Sequence, residues 1–262
     1  MMEEMSMTDT VIADRRGAVL LLTLSHERRG NALTPAMLAA LIVHMETVEQ
    51  DPTIRAVVLT GAGGKAFCTG ADITAWGDLD PVAFARQWIG HGHRVFDRLA
   101  RLPVPVIAAL GGATFGGGLE LAAACDIRVA APGASFALPE AGIGVTAGWS
   151  GTQRLARLLP EALVRELALT GGRMTAERLH GVGFINELAD PPLPRALAVA
   201  DRVGTLAPLA VETTKQVLNA AVGEGREAAI DAIAAARVAA TADKVEGVAG
   251  FREKRPPTFR GR

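Results

Sequence analysis

The sequence predicts an α/β layered protein with at least one well-buried sheet, and three observations carry that prediction. Strand-type and helix-type apolar patterns alternate from the start, strands run twice into glycine-rich loops, and 262 residues suffice to enclose a large core. The run AVLLLTLSH at 18–26 is of β type. After the polar turn ERRGNALTP comes a helical pattern over 35–50, with Thr34 as its cap and Pro35 in its first turn. IRAVVLTGAGG at 54–64 reads as a buried strand ending in glycines, which completes a strand, helix, strand unit. The pattern recurs as a helix carrying His91 and His93 (81–101), a strand at 105–112, the stretch TFGGGLELAAAC and a strand at 126–131. From Pro160 the chain turns mainly helical, with a proline-rich break at 190–194 and Ala-rich segments over 208–241. About ten residues at the N-terminus are expected to lack order.

Composition removes whole classes of function. A formal net charge of -1 leaves no electrostatic footprint for a general nucleic-acid binder. The two cysteines, Cys68 and Cys125, form neither a disulfide framework nor a metal-ligand pattern, which fits a reducing cytoplasm. The polar, acidic N-terminus is unlike a signal peptide, and the apolar runs are too short to span a bilayer, so no membrane partner is expected. His91 and His93, two apart on a helix, point to different sides and share no metal. With no tyrosine at all, chemistry falls to carboxylates, histidines, cysteines, hydroxyls or backbone.

Strand ends that open onto loops are where α/β proteins place ligands, and two such stretches bear chemistry. In KAFCTGADITAW, Gly70 permits tight backbone geometry, Ala71 offers an unobstructed N–H, and Asp72 or Thr74 can cap a following helix; a plain strand-to-helix connection is the alternative. The triplet Gly116, Gly117 and Gly118 could bring a helix N-terminus against a ligand. It lacks the Lys-Ser/Thr ending of a phosphate loop and the G-x-G-x-x-G dinucleotide fingerprint, so an oxyanion hole is the better use of its N–H groups. Glu120 lies one turn inside, where an acid could simply answer the helix dipole, yet its neighbours are apolar and enclose it. Glu140 follows 20 residues later, after a proline in a Gly-rich loop. Two carboxylates at the edge of one apolar site suit holding and activating a single water.

KAFCTGADI, GGATFGGGLELAAACDIRVA, FALPEAGIGVTAGWSGTQRL and FREKRPPTFRGR, in this order, resemble the enoyl-CoA hydratase/isomerase (crotonase) family from Gly30 to Arg262. The resemblance implies a spiral of ββα units over 1–205 and a helical trimerisation region over 206–262, assembled as trimers or pairs of trimers. It implies a coenzyme A thioester as substrate, with no separate cofactor or metal. The oxyanion-hole N–H groups fall on Ala71 and Gly117, and the hydratase glutamates on Glu120, as base toward water, and Glu140, as principal acid. Gly148 matches the glycine lining the water site. Substrate binding falls on Arg28, Arg29 and Ala32, on Cys68, Gly70, Asp72 and Ile73, and on Gly116, with Phe251 and Lys254 reaching a neighbouring subunit's ligand.

The chain departs from the family at Gly111-Gly112, where relatives read Asn-Gly, and over 147–151, where they read Pro-Gly-Ala-Gly-Gly. Trp149 replaces an alanine there and is expected to narrow the acyl end of the pocket. Cys68 and Cys125 are expected to be small buried residues, Asp72 a cap, and Arg154 a tie between elements. The expected function is a cytoplasmic enoyl-CoA hydratase of acyl-CoA degradation. A Δ3,Δ2-enoyl-CoA isomerase, needing one carboxylate and no held water, is the alternative enzyme, and an acyl-CoA-binding subunit without catalysis the alternative of another class.

Overall fold

A computed structural model of the chain describes residues 9–226 and 237–262. The expected lack of order at the N-terminus concerns mostly residues 1–8, outside the described residues, as is the Ala-rich stretch 227–236. The chain divides into two units, with the boundary between Glu212 and Thr213.

In chain order the strands of the first unit are β1 (Thr10–Arg16), β2 (Val19–Ser25), β3 (Ala56–Gly61), β4 (Ala66–Cys68), β5 (Val106–Leu110), β6 (Ala113–Phe115), β7 (Ile127–Ala130), β8 (Ser135–Ala137), β9 (Met174–Thr175) and β10 (Glu187–Leu188). Its α-helices are α1 (Pro35–Gln50), α2 (Pro81–Ala83), α3 (Gly90–Ala100), α4 (Gly117–Ala123), α5 (Gly151–Leu158), α6 (Glu161–Thr170), α7 (Ala176–Gly181) and α8 (Pro192–Gly204). A π-helical turn, Phe84–Ile89, joins α2 to α3, so the expected helix over 81–101 is one helical run with a changed pitch. The strands form two sheets, one in the order β1-β2-β3-β5-β7-β10 and one in the order β4-β6-β8-β9. In the large sheet only the β1–β2 pair is antiparallel.

Strands β2, β3 and β5 of the large sheet are apolar along nearly their whole length because both faces there are covered, as parallel sheets require. On one face Leu20, Leu22, Leu24, Val57 and Leu59 share a core with Met37, Leu38, Leu41 and Met45 of α1. On the other, Val19, Leu21, Ala56, Val58 and Ile107 pack against Ala196 and Ala200 of α8, whose small side chains permit close approach. Thr34 caps α1 by accepting the Met37 N–H at 3.2 Å. Strand β1 had no counterpart in the sequence reading, because TVIADRR buries only Val11 and shows no alternation; its pairing with β2 holds it. The second sheet was also unread as a sheet, since strands of two or three residues are too short to display a period.

Helix α4 is fixed at its C-terminal end by Arg128 of β7, a buried residue at 4 % exposure. Its guanidinium donates to the Cys125 carbonyl at 2.6 Å and the Ala122 carbonyl at 3.3 Å, and its Nε donates to the Phe184 carbonyl at 2.6 Å. The cation also lies 4.8 Å from the centroid of the Phe184 ring. A cation there complements the negative end of the helix and gives the Cys125 carbonyl a donor, while the Ala122 carbonyl also accepts the Cys125 N–H.

Helix α9 (Pro208–Ala221) contains the boundary between the units. In the second unit, α10 (Ala242–Glu253) starts at Thr241, whose side chain accepts the Lys244 N–H, and ends at Lys254 in a left-handed conformation. The final residues fold back on it: Arg255 pairs with Glu246 at 2.6 Å, and Asp243 accepts the N–H groups of Arg260 and Gly261 at 2.6 and 2.7 Å. Among the described residues no helix is long and apolar enough to cross a membrane.

Arg128→Met keeps the stem volume while leaving these carbonyls without the guanidinium donor. It is expected to lower the unfolding free energy by about 2–4 kcal/mol in urea titration; a loss below about 0.5 kcal/mol would contradict the anchoring role.

Candidate active site

Strand β6 leads into α4 through Gly116, and the local backbone dictates the residue type. Gly116 has φ 50° and ψ −127°, a region L-residues avoid, and a Cβ there would stand 2.7 Å from Glu140 Oε1. A Cβ on Gly118 would run into the Cys68 carbonyl at the end of β4. The triplet is therefore what lets α4 begin in contact with β4 and beside Glu140.

The β4 side supplies a second main-chain segment. Leu33 N–H donates to the Gly70 carbonyl at 2.8 Å and Asp72 N–H to the Leu33 carbonyl at 2.9 Å, so a short parallel bridge brackets Ala71 and leaves its own N–H out of the pairing. Among the described residues neither the Ala71 nor the Gly117 N–H donates to any acceptor. The two residues are neighbours, because a Cβ on Gly117 would stand 3.5 Å from the Ala71 nitrogen. Two unbonded amides side by side at a cleft wall are donors waiting for a ligand oxygen.

Glu120, at 3 % exposure, points its Oε1 at two further amides, the Trp149 and Gly151 N–H groups, each at 2.8 Å. Burial pushes its carboxyl up to about 7, against the lowering effect of these hydrogen bonds and with a smaller raising contribution from Glu140. Glu140 opens a 3-10 turn, Glu140–Ile143, and burial raises its carboxyl too. Its Oε2 is buried and has no hydrogen-bond partner among the described residues. One carboxylate is thus anchored by the backbone, while its neighbour keeps a vacant acceptor.

A cleft of about 190 Å³ joins these groups. It brings together Gly70, Ala71, Ile73, Gly116, Gly117, Glu120, Glu140, Gly148 and Trp149 from the sequence expectation. Its apolar end is closed by Trp76, Phe84, Trp88, Ile89 and Trp149. The Trp149 indole packs 5.1 Å from Trp88 and 5.3 Å from Phe96, donates its Nε1–H to the Trp88 carbonyl, and fills the space a Cβ on Gly92 would need. The sequence reading missed the aromatic wall, although a signal existed: the chain's three tryptophans all line this one cleft. It also missed the amides that hold Glu120, which have no side-chain signature.

Other expected residues lie elsewhere. Arg28 lines a separate surface hollow with Glu27, Asn31 and Lys65. The exposed Arg29 comes within 4.0 Å of Asp72, whose carboxylate caps the turn Ile73–Ala75 by accepting the Thr74 N–H. Ala32 is buried and its carbonyl meets the His26 ring. Cys68 is buried, and burial pushes its thiol up to about 12, unsuited to a nucleophile at neutral pH. Phe251, exposed, and Lys254 belong to the second unit. Among the described residues no group of three or more His, Cys, Asp or Glu could hold a metal ion.

Comparison with solved structures places the chain among crotonase-fold proteins. The crystal structure of an enoyl-CoA hydratase from Polaromonas sp. JS666 matches with TM-score 0.79 and 36 % identity, over 96 % of this chain and all of that one. The family model Enoyl-CoA hydratase/isomerase matches residues 14–262, and the chain belongs to that family. Relatives include the short-chain-enoyl-CoA hydratase of Clostridium acetobutylicum, 34 % identical with 94 % of this chain and 96 % of that protein covered. The 2,3-dehydroadipyl-CoA hydratase of Escherichia coli is 35 % identical, with 96 % and 99 % covered.

The raised Glu120 carboxyl has a measurable consequence for stability. A carboxyl that binds its proton more tightly when folded destabilises the native state as pH rises above its unfolded value, here 4.5, and the loss is complete above about 7. Between those limits the wild type is expected to lose roughly 3 kcal/mol relative to Glu120→Gln in denaturant titrations. A difference between the two proteins that stays constant with pH would contradict it.

Proposed function

We infer that the chain is an enoyl-CoA hydratase, a hydro-lyase that adds water across the C2–C3 double bond of a trans-2-enoyl-CoA thioester in acyl-CoA degradation. One observation carries this reading: the buried Glu120 carboxylate, anchored by the backbone, and the partly buried Glu140, whose enclosed Oε2 has no partner among the described residues, beside two unbonded amides. The names of the relatives support it independently, because several act on short or dicarboxylic enoyl-CoA esters by name.

The thioester oxygen accepts hydrogen bonds from the Ala71 and Gly117 N–H groups, which draws electron density away from C3. A water sits between Glu120 and Glu140, accepted by the oxygen that Glu120 leaves outside its backbone bonds and by Glu140 Oε2. Glu120 takes one proton as the water oxygen bonds to C3, and negative charge collects on the thioester oxygen where the two amides meet it. Glu140 supplies the proton to C2, and transfer between the two carboxyls restores the starting state. Burial raises both carboxyls, which suits a pair that provides a base and an acid in one site. The aromatic end of the cleft, closed by Trp149, fits a short acyl group.

The coenzyme A moiety extends from the thioester along the loops at 28–33 and 68–73, with Arg28 and Arg29 toward its phosphates. Phe251 and Lys254 serve the ligand of a neighbouring subunit, in a trimer or pair of trimers built through the region 206–262. The cytoplasm is the compartment consistent with two buried free cysteines.

Loss of crotonyl-CoA absorbance tests the activity. Glu120→Gln and Glu140→Gln are each expected to lower kcat by about 10²–10⁴ with KM changed far less. A Glu120→Gln protein that still moves a Δ3 double bond to Δ2 at the wild-type rate would favour an isomerase. Binding of the ester by folded wild type without any turnover would overturn the enzymatic reading.

A further inference from the structure

A charged cluster lies behind the carboxylate pair, and no step described above uses it. Asp97 of α3 accepts the Ser150 hydroxyl at 2.9 Å and the Arg154 guanidinium at 2.7 Å, both through Oδ1. Its Oδ2 faces His93 Nε2 at 3.3 Å and Arg101 Nη2 at 3.8 Å. Burial pushes the Asp97 carboxyl up, yet the hydrogen bonds from Arg154 and Ser150 outweigh it and hold the group below the usual carboxylate range. The side chain of Arg154 is only 4 % exposed and that of Asp97 21 %, so this ion pair joins α5 to α3 with its cation desolvated.

The position of Ser150 gives the cluster its meaning. Ser150 has φ 68° and ψ 8°, a left-handed conformation that costs a non-glycine residue energy and needs local support. It stands between Trp149 and Gly151, the two residues whose N–H groups hold Glu120 Oε1. The left-handed turn is what lets two amides, two residues apart, converge on the same oxygen. A Cβ on Gly151 would collide with the Glu120 side chain, so there is no slack between this turn and the carboxylate. The same helix α3 carries Gly92 and Phe96, against which the Trp149 indole packs, so α3 grips the turn from both sides of Ser150.

We propose that Asp97 is a positioning residue: through the Ser150 hydroxyl it clamps the left-handed turn that aims the Trp149 and Gly151 amides at Glu120. The clamp acts on Glu120, which Glu140 faces from the other side; Arg154, His93 and Arg101 face Asp97 itself. This rests on the role given to Glu120 above, but its consequence can be read without turnover. A looser turn donates less to the Glu120 carboxylate, so Glu120 keeps its proton to higher pH.

The test follows the Glu120 carboxyl by ¹³C NMR in protein labelled at glutamate, with Glu120→Gln identifying the signal. Ser150→Ala removes the hydroxyl while leaving Asp97 and Arg154 paired, and is expected to raise the Glu120 titration midpoint by about 0.5 pH unit or more. Asp97→Asn, which keeps the shape and weakens the clamp, is expected to move it in the same direction and carries the test should Ser150→Ala not fold. Ser150→Gly favours the left-handed turn by itself and is expected to give less than half the shift of the alanine variant. In active enzyme the alanine variant is expected to lose roughly tenfold in kcat with KM within about twofold, and to shift the acidic limb of its pH profile upward. A folded Ser150→Ala protein with an unmoved midpoint, or equal shifts for alanine and glycine, overturns the proposal. Absence of hydration by wild type would leave the NMR result standing and would instead overturn the hydratase reading.

Discussion

Glu120 carries a carboxyl group into the interior, and the rest of the site is arranged around holding it there. A buried carboxylate without partners is among the costliest groups a fold can contain. Here one of its oxygens receives two backbone amides from the turn at 149–151, while the helix that carries it begins at glycines and is anchored at its far end by Arg128. The compensation is incomplete, because burial still pushes the group up to about 7. That residue of unfavourable energy is useful: the carboxyl can be base or acid near neutral pH, and Glu140, also raised by burial, shares its surroundings.

The two sheets explain how four separate chain segments meet at this point. The large sheet is covered on both faces, which fixes the ends of β3, β5 and β7. The small sheet, through β4, β6 and β8, turns the following loops toward one another, so that Ala71, Gly117 and Glu140 arrive from different strands. The fourth segment, the turn before α5, is tied to α3 and brings both the amides for Glu120 and the Trp149 indole that closes the apolar end. Polar and apolar halves of the cleft are thus set by the same few residues, which couples the geometry of the carboxylates to the space left for an acyl group.

Much of this was legible in the residues themselves. The strand at 18–26, the capped helix at 35–50 and the glycine triplet before Glu120 announce themselves through period, caps and residue type. The sequence spacing of Glu120 and Glu140 pointed to a pair, and the structure brings both to one cleft. What stayed hidden has physical reasons. An edge strand such as β1 buries one side chain and leaves no alternation; strands of two or three residues leave no period; main-chain donors leave no trace in residue identity. Asp97 looks like any charged residue on a helix, and its partner Ser150 stands 53 positions away, so only the folded chain reveals the clamp. Arg28 and Arg29 carry no signal of their own, since an exposed basic pair in a turn looks the same whether or not it meets a phosphate, and only the resemblance to the family singled them out.

The hydration proposed for this site adds water to carbon 3 of an enoyl thioester, with Glu120 and Glu140 holding that water. The most direct measurement is mass spectrometry of the product formed from trans-2-butenoyl-CoA in H₂¹⁸O. The expected product is 3-hydroxybutanoyl-CoA carrying one ¹⁸O at its C3 hydroxyl, formed at the rate at which the enoyl absorbance disappears. Conversion of the ester without ¹⁸O at C3, or recovery of unchanged ester from folded protein that binds it, would contradict that hydration.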